Sequence, residues 1–164
     1  MKWLTVTAML MALNIAMSSF GVPVPGGHLY LNDAVICTAA ILLDPLGAFF
    51  VGGVGAFLGD FFFYPAPMFV SLVTHGLQAV VVSLCAHKLT KEHRGCGALV
   101  GVILGVIINV AGYSVGRALV YATPEAAMLK FPFQVFQAAF GAAVSMLLCF
   151  KAGLLTFWDK FSQR

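Results

Sequence analysis

Long apolar runs separated by short polar segments limit this chain to a membrane-spanning fold. Residues 98–108 are apolar without a break, whereas the strands of a transmembrane β-barrel alternate apolar and polar side chains. Of the 164 residues, 61% are hydrophobic and 9% are charged, while about 25% of a soluble domain is charged. Because a spanning helix needs about 20 apolar residues, the sequence predicts an all-α integral membrane protein, a six-helix bundle forming a single membrane domain over residues 1–164.

Composition and motifs argue against several classes of function. The formal net charge is only +3, and no basic run is interleaved with aromatic residues, so nucleic acid is not an expected partner. The four cysteines lie far apart without a CxxC pair, and the HExxH, GxSxG and Walker A motifs are absent from the sequence. We therefore expect no metal, no cofactor and no enzymatic activity, and no ATP hydrolysis by this chain alone.

Proline and glycine divide the sequence into six predicted helices. The segment from Val22 to Gly27 cannot continue a helix, and Asp44 with Pro45 suits the cap and first turn of a new one. The second helix is short for a crossing, so we expect it to stop inside the bundle or to include Asn32 and Asp33 in its first turn. The predicted helices run from about Trp3 to Phe20, Ala34 to Leu43, Pro45 to Phe63, Met68 to Ala86, Gly97 to Leu119 and Phe133 to Leu155.

The distribution of lysine and arginine predicts the orientation. Six crossings leave only Arg117 and Lys130 on one side of the bundle. The other side, which contains both termini, collects Lys2, Lys88, Lys91, Arg94, Lys151, Lys160 and Arg164. By the positive-inside rule, both termini are predicted to be cytoplasmic.

Polar residues gather in the half of the bundle that this orientation places outside. Each one costs free energy in hydrocarbon unless it is paired or faces water, and three of them share one helix face by i, i+4 spacing. Together they predict a substrate-binding cavity, open to the outside, that suits a small polar heterocycle. The set is Asn32, Asp33, Asp60, Tyr64, His75, Gln78, Asn109, Tyr113, Arg117, Gln134 and Gln137.

These residues leave alternatives for the ligand and for the class of function. Arg117 would suit an anionic ligand, whereas Asp33 and Asp60 would suit a donor-rich pyrimidine or pyridine, which we favour because two acids outnumber one base. If Arg117 pairs with Asp60, neither the argument for an anionic ligand nor the argument for a donor-rich ligand holds. His75 and Asp60 could instead be the acid–base pair of an intramembrane enzyme. A self-contained channel or secondary transporter is a further alternative, although the sequence has no internal repeat.

Several motifs resemble the substrate-binding S components of energy-coupling factor (ECF) vitamin transporters. They are LNDAVI from Leu31, LLDPLG from Leu42, GGVGAFLGD ending at Asp60, Tyr64 with Pro65, and HGLQ from His75. The hydroxymethylpyrimidine/riboflavin branch is the most similar. The resemblance implies a multi-pass protein of the cell membrane that binds a vitamin or vitamin precursor near the outer face for ATP-driven uptake by an ABC-type importer, with riboflavin as an alternative substrate.

The same resemblance implies partners. S components dock on an ECF transmembrane coupling protein that carries two ATPase subunits. Ala8, Ala12 and Ala16 form a stripe of small residues that allows close helix approach in lipid; spacing alone also allows packing within the chain, but the resemblance implies docking on the coupling protein. It also implies that the connection from Gly21 to Asn32 is an outer lid.

Overall fold

Seven helices and one β-hairpin make up the computed structural model, which describes residues 2–25, 27–89 and 94–163. The helices are α1 (Lys2–Ser18), α2 (Asn32–Leu42), α3 (Pro45–Phe63), α4 (Met68–Leu89), α5 (Arg94–Tyr121), α6 (Pro124–Lys151) and α7 (Leu154–Gln163). Strands β1 (Val22–Val24) and β2 (Gly27–Leu29) pair antiparallel. Lys91 and Arg164, two of the residues that predict the orientation, lie outside the described residues.

Four of the helices, α3 to α6, are long and apolar enough to cross a membrane. Helix α1 has 17 residues and α2 has 11. At 1.5 Å per residue, α2 is about 16 Å long, roughly half the hydrocarbon thickness of a bilayer. The prediction of a helical membrane protein is confirmed, while the six crossings and the cytoplasmic termini stay predictions.

The first and last described helices meet at one end of the bundle. Lys2 Nζ donates a hydrogen bond to the Phe161 carbonyl oxygen at 3.4 Å, and Arg94 forms an ion pair with Asp159 at 2.9 Å. We call this the terminal end. The opposite end, which carries the β-hairpin and the start of α2, is called the hairpin end.

The start of α2 and its junction with α3 follow the predicted chemistry. Helix α2 begins at Asn32, so Asn32 and Asp33 form its first turn, which is one of the two predicted alternatives. The Asp44 side chain caps α3 by accepting a hydrogen bond from the Gly47 amide at 3.3 Å, and Pro45 occupies the first turn. These short-range signals positioned the junction correctly because both act within one helical turn.

Glycines let α3 approach its neighbours closely. A methyl group at Gly59 would lie 2.5 Å from Ser18 Oγ on α1, and one at Gly52 would lie 2.7 Å from Ala79 Cβ on α4. Both distances are shorter than van der Waals contact. The α1–α3 and α3–α4 packing therefore depends on the absence of these side chains.

The small-residue stripe on α1 faces away from the bundle. Ala8, Ala12 and Ala16 are exposed, whereas Asn14 and Ser18 on the same helix are buried and contact α3. Packing within the chain, which spacing alone allowed, is therefore not the arrangement of this stripe. Its docking role stays a prediction.

The last helices differ from the prediction at both ends. Helix α6 begins at Pro124 rather than near Phe133, and it continues through Pro132, which we had interpreted as part of a connection. It ends at Lys151 instead of Leu155, because Gly153 has a φ of +76° and turns the chain into α7. Lys160, one of the residues that predict the orientation, therefore lies in a separate helix.

The start of α6 depends on a side-chain cap at Thr123. Thr123 Oγ1 accepts a hydrogen bond from the Ala126 amide at 3.3 Å. We expect Thr123→Ala to lower the free energy of unfolding by about 1 kcal/mol, because the amide loses its acceptor. Reversible denaturation in detergent would measure this change, with Thr123→Ser as the control that keeps the cap. Equal losses in both variants would contradict the capping role.

Candidate ligand-binding site

A small polar cavity lies at the hairpin end, between β2 and helices α3 to α6. Its volume is about 40 Å³, far below the roughly 300 Å³ at which ligand pockets usually begin. The lining residues are Gly27, His28, Tyr30, Asn32, Asp60, Tyr64, Pro67, His75, Tyr113, Arg117, Tyr121, Lys130, Gln134 and Gln137. The structure therefore brings eight of the eleven predicted site residues to one cavity.

The other three predicted residues lie beneath the cavity in a hydrogen-bonded network. Asp33, Gln78 and Asn109 are fully buried. Asp33 Oδ1 accepts from Asn109 Nδ2 at 2.8 Å and from Gln78 Nε2 at 3.3 Å. Its second oxygen, Oδ2, accepts from Gln137 Nε2 at 2.7 Å. A carboxylate with three donors supports the floor of the cavity, and it does not line the cavity itself.

The hydrogen bonds fix the orientation of the His75 ring. Its Nδ1 lies 2.9 Å from Gln78 Oε1, which also accepts from Asn109 Nδ2 at 3.0 Å. An amide oxygen can only accept, so the proton is assigned to Nδ1. In the neutral ring, the remaining nitrogen, Nε2, is an acceptor on a side chain that lines the cavity.

Asp60 belongs to a second polar group on another wall of the cavity. Ser71 Oγ donates a hydrogen bond to Asp60 Oδ2, and the Tyr113 hydroxyl lies 2.5 Å from the same Ser71 oxygen. Ser71 was not among the predicted site residues, although it lies one helical turn before His75. Asp60 and His75 line the same cavity but hydrogen bond to different partners, so the pair proposed for an intramembrane enzyme is not joined by a hydrogen bond.

The hairpin covers the cavity and is tied to α6 at two points. The Tyr30 amide donates to Gln137 Oε1 at 3.0 Å, and Lys130 Nζ donates to the carbonyl oxygen of His28. Gly27 has a φ of +148°, and a methyl group there would lie 3.2 Å from Arg117 Nη1. Burial raises the pKa of the Tyr30 phenol, so the group is a neutral hydroxyl at physiological pH.

Lys130 changes the charge count on which the ligand was predicted. Its side chain is 2% exposed and lines the cavity, together with Arg117, whose guanidinium lies 5.3 Å from the centre of the Tyr121 ring. Two cations therefore stand with Asp60 and the underlying Asp33. Acids therefore do not outnumber bases at the cavity, because Lys130 in α6 is a second base.

Sequence reasoning missed His28, Tyr30, Tyr121 and Lys130 among the lining residues. Tyr121 follows Arg117 at i+4 and extends the face that was predicted. Lys130 precedes Gln134 at the same spacing. This spacing indicates a shared helix face only if α6 begins at Pro124, upstream of its predicted start. The hairpin residues had no helical period to reveal them.

Buried acceptors remain open at the cavity. Asn32 Oδ1 is buried and has no hydrogen-bond partner among the described residues. An unpaired buried carbonyl costs about 1–3 kcal/mol, which makes it a candidate ligand contact.

Within residues 2–25, 27–89 and 94–163, no group of three or more His, Cys, Asp or Glu side chains could hold a metal ion.

Larger grooves on the bundle lack this chemistry. One of them, about 650 Å³, lies between α4 and α5 and is lined by apolar residues and small ones such as Thr74 and Gly112. This groove lies on the outer surface of two candidate spanning helices, where lipid chains would cover it. Convergent polar groups make the cavity at the hairpin end the candidate binding site.

Comparison with known proteins assigns the chain to a family. Residues 1–153 match the model of the family described as the ECF-type riboflavin transporter, S component. The chain belongs to this family, which confirms the resemblance seen in its motifs and its location in the membrane. The family is a transporter component and not a class of enzymes.

Curated relatives match only part of the chain. UPF0397 proteins of Streptococcus agalactiae serotypes Ia, V and III are each 29% identical to this chain over 96 residues. The match covers 57% of this chain and 53% of each relative. The chain thus spans about half the length of these relatives.

Proposed function

We propose that this protein is the substrate-binding subunit of an ECF-type importer and that it captures a small, neutral, donor-rich heterocycle of the pyrimidine or pyridine type. The ligand binds in the cavity at the hairpin end, which faces the outside of the cell. A coupling protein and two ATPases then drive uptake. Membership of the S component family supports the class of function, and the chemistry of the cavity supports the class of ligand.

The open acceptor on Asn32 carries the proposal for the ligand. Its Oδ1 is buried without a partner, and His75 presents Nε2 as a second acceptor by the tautomer derived above. Gln134 donates through Nε2 to Asn109 Oδ1 at 2.6 Å, which leaves its own carbonyl oxygen as a third. An amino-substituted heteroaromatic ring offers several N–H donors in one plane, and it would satisfy such a set.

The balance of charge favours a neutral ligand. Arg117 and Lys130 offset Asp60 and Asp33, so a charged ligand would leave one charge uncompensated in a site surrounded by apolar helices. Such a charge is costly where the dielectric constant is low. Tyr64 and Tyr113 line the same cavity and suit contact with the faces or edges of a flat ring.

A flavin is the second candidate, because the description of the matched family names riboflavin. Its three fused rings are much larger than a pyrimidine, and the cavity of about 40 Å³ would have to expand correspondingly further. A pyrimidine or pyridine requires less displacement of β2 and is the first candidate for this reason.

The exposed alanine stripe supports the proposed assembly. Ala8, Ala12 and Ala16 present a smooth surface on α1 that the rest of the described residues leave uncovered. Small residues allow another helix to approach closely in lipid. We therefore assign the stripe to docking on the coupling protein.

Mass spectrometry of the small molecules that copurify with the protein tests this function. The protein is purified in mild detergent, denatured and extracted, together with His75→Phe and His87→Phe. His75→Phe keeps the ring that packs 5.2 Å from Tyr113 but removes both nitrogens. His87 lies at the terminal end, where it bonds to the Ser83 carbonyl oxygen, and serves as the matched control.

We expect a stoichiometric heterocycle in the wild type and in His87→Phe, with a strong reduction in His75→Phe. If nothing copurifies, the change in the unfolding temperature on adding pyrimidine, pyridine or flavin vitamins shows whether the protein binds them. The absence of any shift would refute the proposed ligand class. Flux into liposomes without partner proteins would instead favour a self-contained transporter.

A further inference from the structure

The Gln137 amide connects the floor of the cavity to its cover. Its Nε2 donates to Asp33 Oδ2 at 2.7 Å, and its Oε1 accepts from the Tyr30 backbone amide at 3.0 Å. Gln137 is 5% exposed and Asp33 is fully buried, so solvent does not compete for these bonds. Both polar ends of a single side chain are engaged, one on α2 and one next to β2.

The other oxygen of Asp33 has different partners. Oδ1 accepts from Asn109 and Gln78, while only Oδ2 faces Gln137. An ionised carboxylate can only accept hydrogen bonds. Asp33 therefore forces Gln137 to present Nε2 downward and Oε1 upward, where the amide of Tyr30 finds an acceptor.

We propose that Asp33 is a positioning residue: it does not contact the ligand, but it orients the Gln137 amide and thereby holds β2 over the cavity. This differs from the direct ligand contact that the sequence predicted for Asp33. The importance of this role for ligand binding rests on the function proposed above. The experiment that follows needs no ligand, so its failure would not be a failure of the proposed function.

An Asp33→Asn substitution separates the two oxygens chemically. The new amide can keep its oxygen toward Asn109 and Gln78, but its NH₂ group then faces Gln137 Nε2, donor against donor. Turning the Gln137 amide would relieve that contact and place its NH₂ against the Tyr30 N–H. Either way one of the two bonds is lost.

Adding Gln137→Glu should repair the connection. A carboxylate at this position accepts from the NH₂ group introduced by Asp33→Asn with one oxygen and from the Tyr30 amide with the other. The double variant also has the same formal charge as the wild type. Rescue of this kind would not occur if Asp33 served only general stability.

Amide hydrogen exchange of Tyr30, measured by NMR on the full chain in detergent with ¹⁵N-labelled tyrosine, tests the proposal. The sequence contains four tyrosines, so Tyr64, Tyr113 and Tyr121 report on the rest of the fold. We expect Asp33→Asn to speed exchange at Tyr30 about tenfold, the effect of losing one typical hydrogen bond. The double variant should return it to within about threefold of the wild type.

Two results would overturn the proposal. One is unchanged exchange at Tyr30 in Asp33→Asn, which would show that the carboxylate does not orient Gln137. The other is faster exchange at all four tyrosines that the second substitution does not reverse. That outcome would make Asp33 a residue of overall folding rather than of lid positioning.

Discussion

Gly141→Ala is expected to destabilise the protein and to weaken ligand binding by more than tenfold. A methyl group at this position on α6 would lie 2.5 Å from Asp33 Cβ, 2.9 Å from the Asp33 carbonyl carbon and 3.0 Å from the Ala34 nitrogen. Two of these atoms belong to the backbone of α2, so no side-chain rotation can relieve the contact. Overpacking of this kind costs about 1–3 kcal/mol, and it displaces the floor of the cavity.

Thermal unfolding in detergent and binding of the copurified ligand would measure the two effects. Gly95→Ala is the matched control, because its new methyl group would come no closer than 3.7 Å to Phe150. Alanine also favours helix over glycine by up to about 1 kcal/mol, so this control should be neutral or slightly stabilising. A Gly141→Ala protein as stable as the control would contradict the close packing of α2 on α6.

Asn32→Ala is expected to weaken ligand binding by a factor of about 5 to 150 while leaving thermal stability nearly unchanged. Asn32 Oδ1 is buried and has no hydrogen-bond partner among the described residues, so its removal sacrifices no bond of the unliganded protein. If the ligand donates to it, the bound state loses about 1–3 kcal/mol. A drop in affinity without a drop in stability identifies a residue that acts on the ligand.

Thr38 provides a control with the same kind of atom in a different place. Its Oγ1 is also buried without a partner in the described part of the chain, but it does not line the cavity. Thr38→Val should therefore leave the dissociation constant unchanged, as measured by titration calorimetry. Asn32→Asp, which keeps an acceptor, should retain more affinity than Asn32→Ala. Similar affinity in all three variants would show that Asn32 does not contact the ligand.

The fold was predictable where the signals act over one helical turn. Asp44 with Pro45 marked the start of α3, because the cap and the first turn depend on neighbouring residues alone. Pro132 was misleading, because a proline inside a helix usually breaks it, whereas α6 continues through it. The hairpin had two strands of three residues, which are too short for a period-2 pattern to appear.

The site was predictable as a group of residues but not as a geometry. Intramembrane polar side chains need hydrogen-bond partners or water. This requirement was enough to predict that Asn109, Tyr113 and Gln134 lie at the same end of the bundle. It could not separate residues that line the cavity from Asp33, which lies beneath it. That distinction depends on how closely α2 and α6 approach at Gly141, a tertiary contact with no local sequence signal.

The narrowness of the cavity has a kinetic consequence. A space of about 40 Å³ beneath a hairpin with two ties to α6 admits a ring only after the cover has moved. Association would then be gated: the observed rate should level off at high ligand concentration at the rate of opening. The apparent dissociation constant equals the intrinsic one divided by the fraction of time that the cover is open. Dissociation must also wait for opening, which lengthens the residence time. Such a subunit retains each captured molecule long enough to meet its partners, even when the molecule is scarce outside.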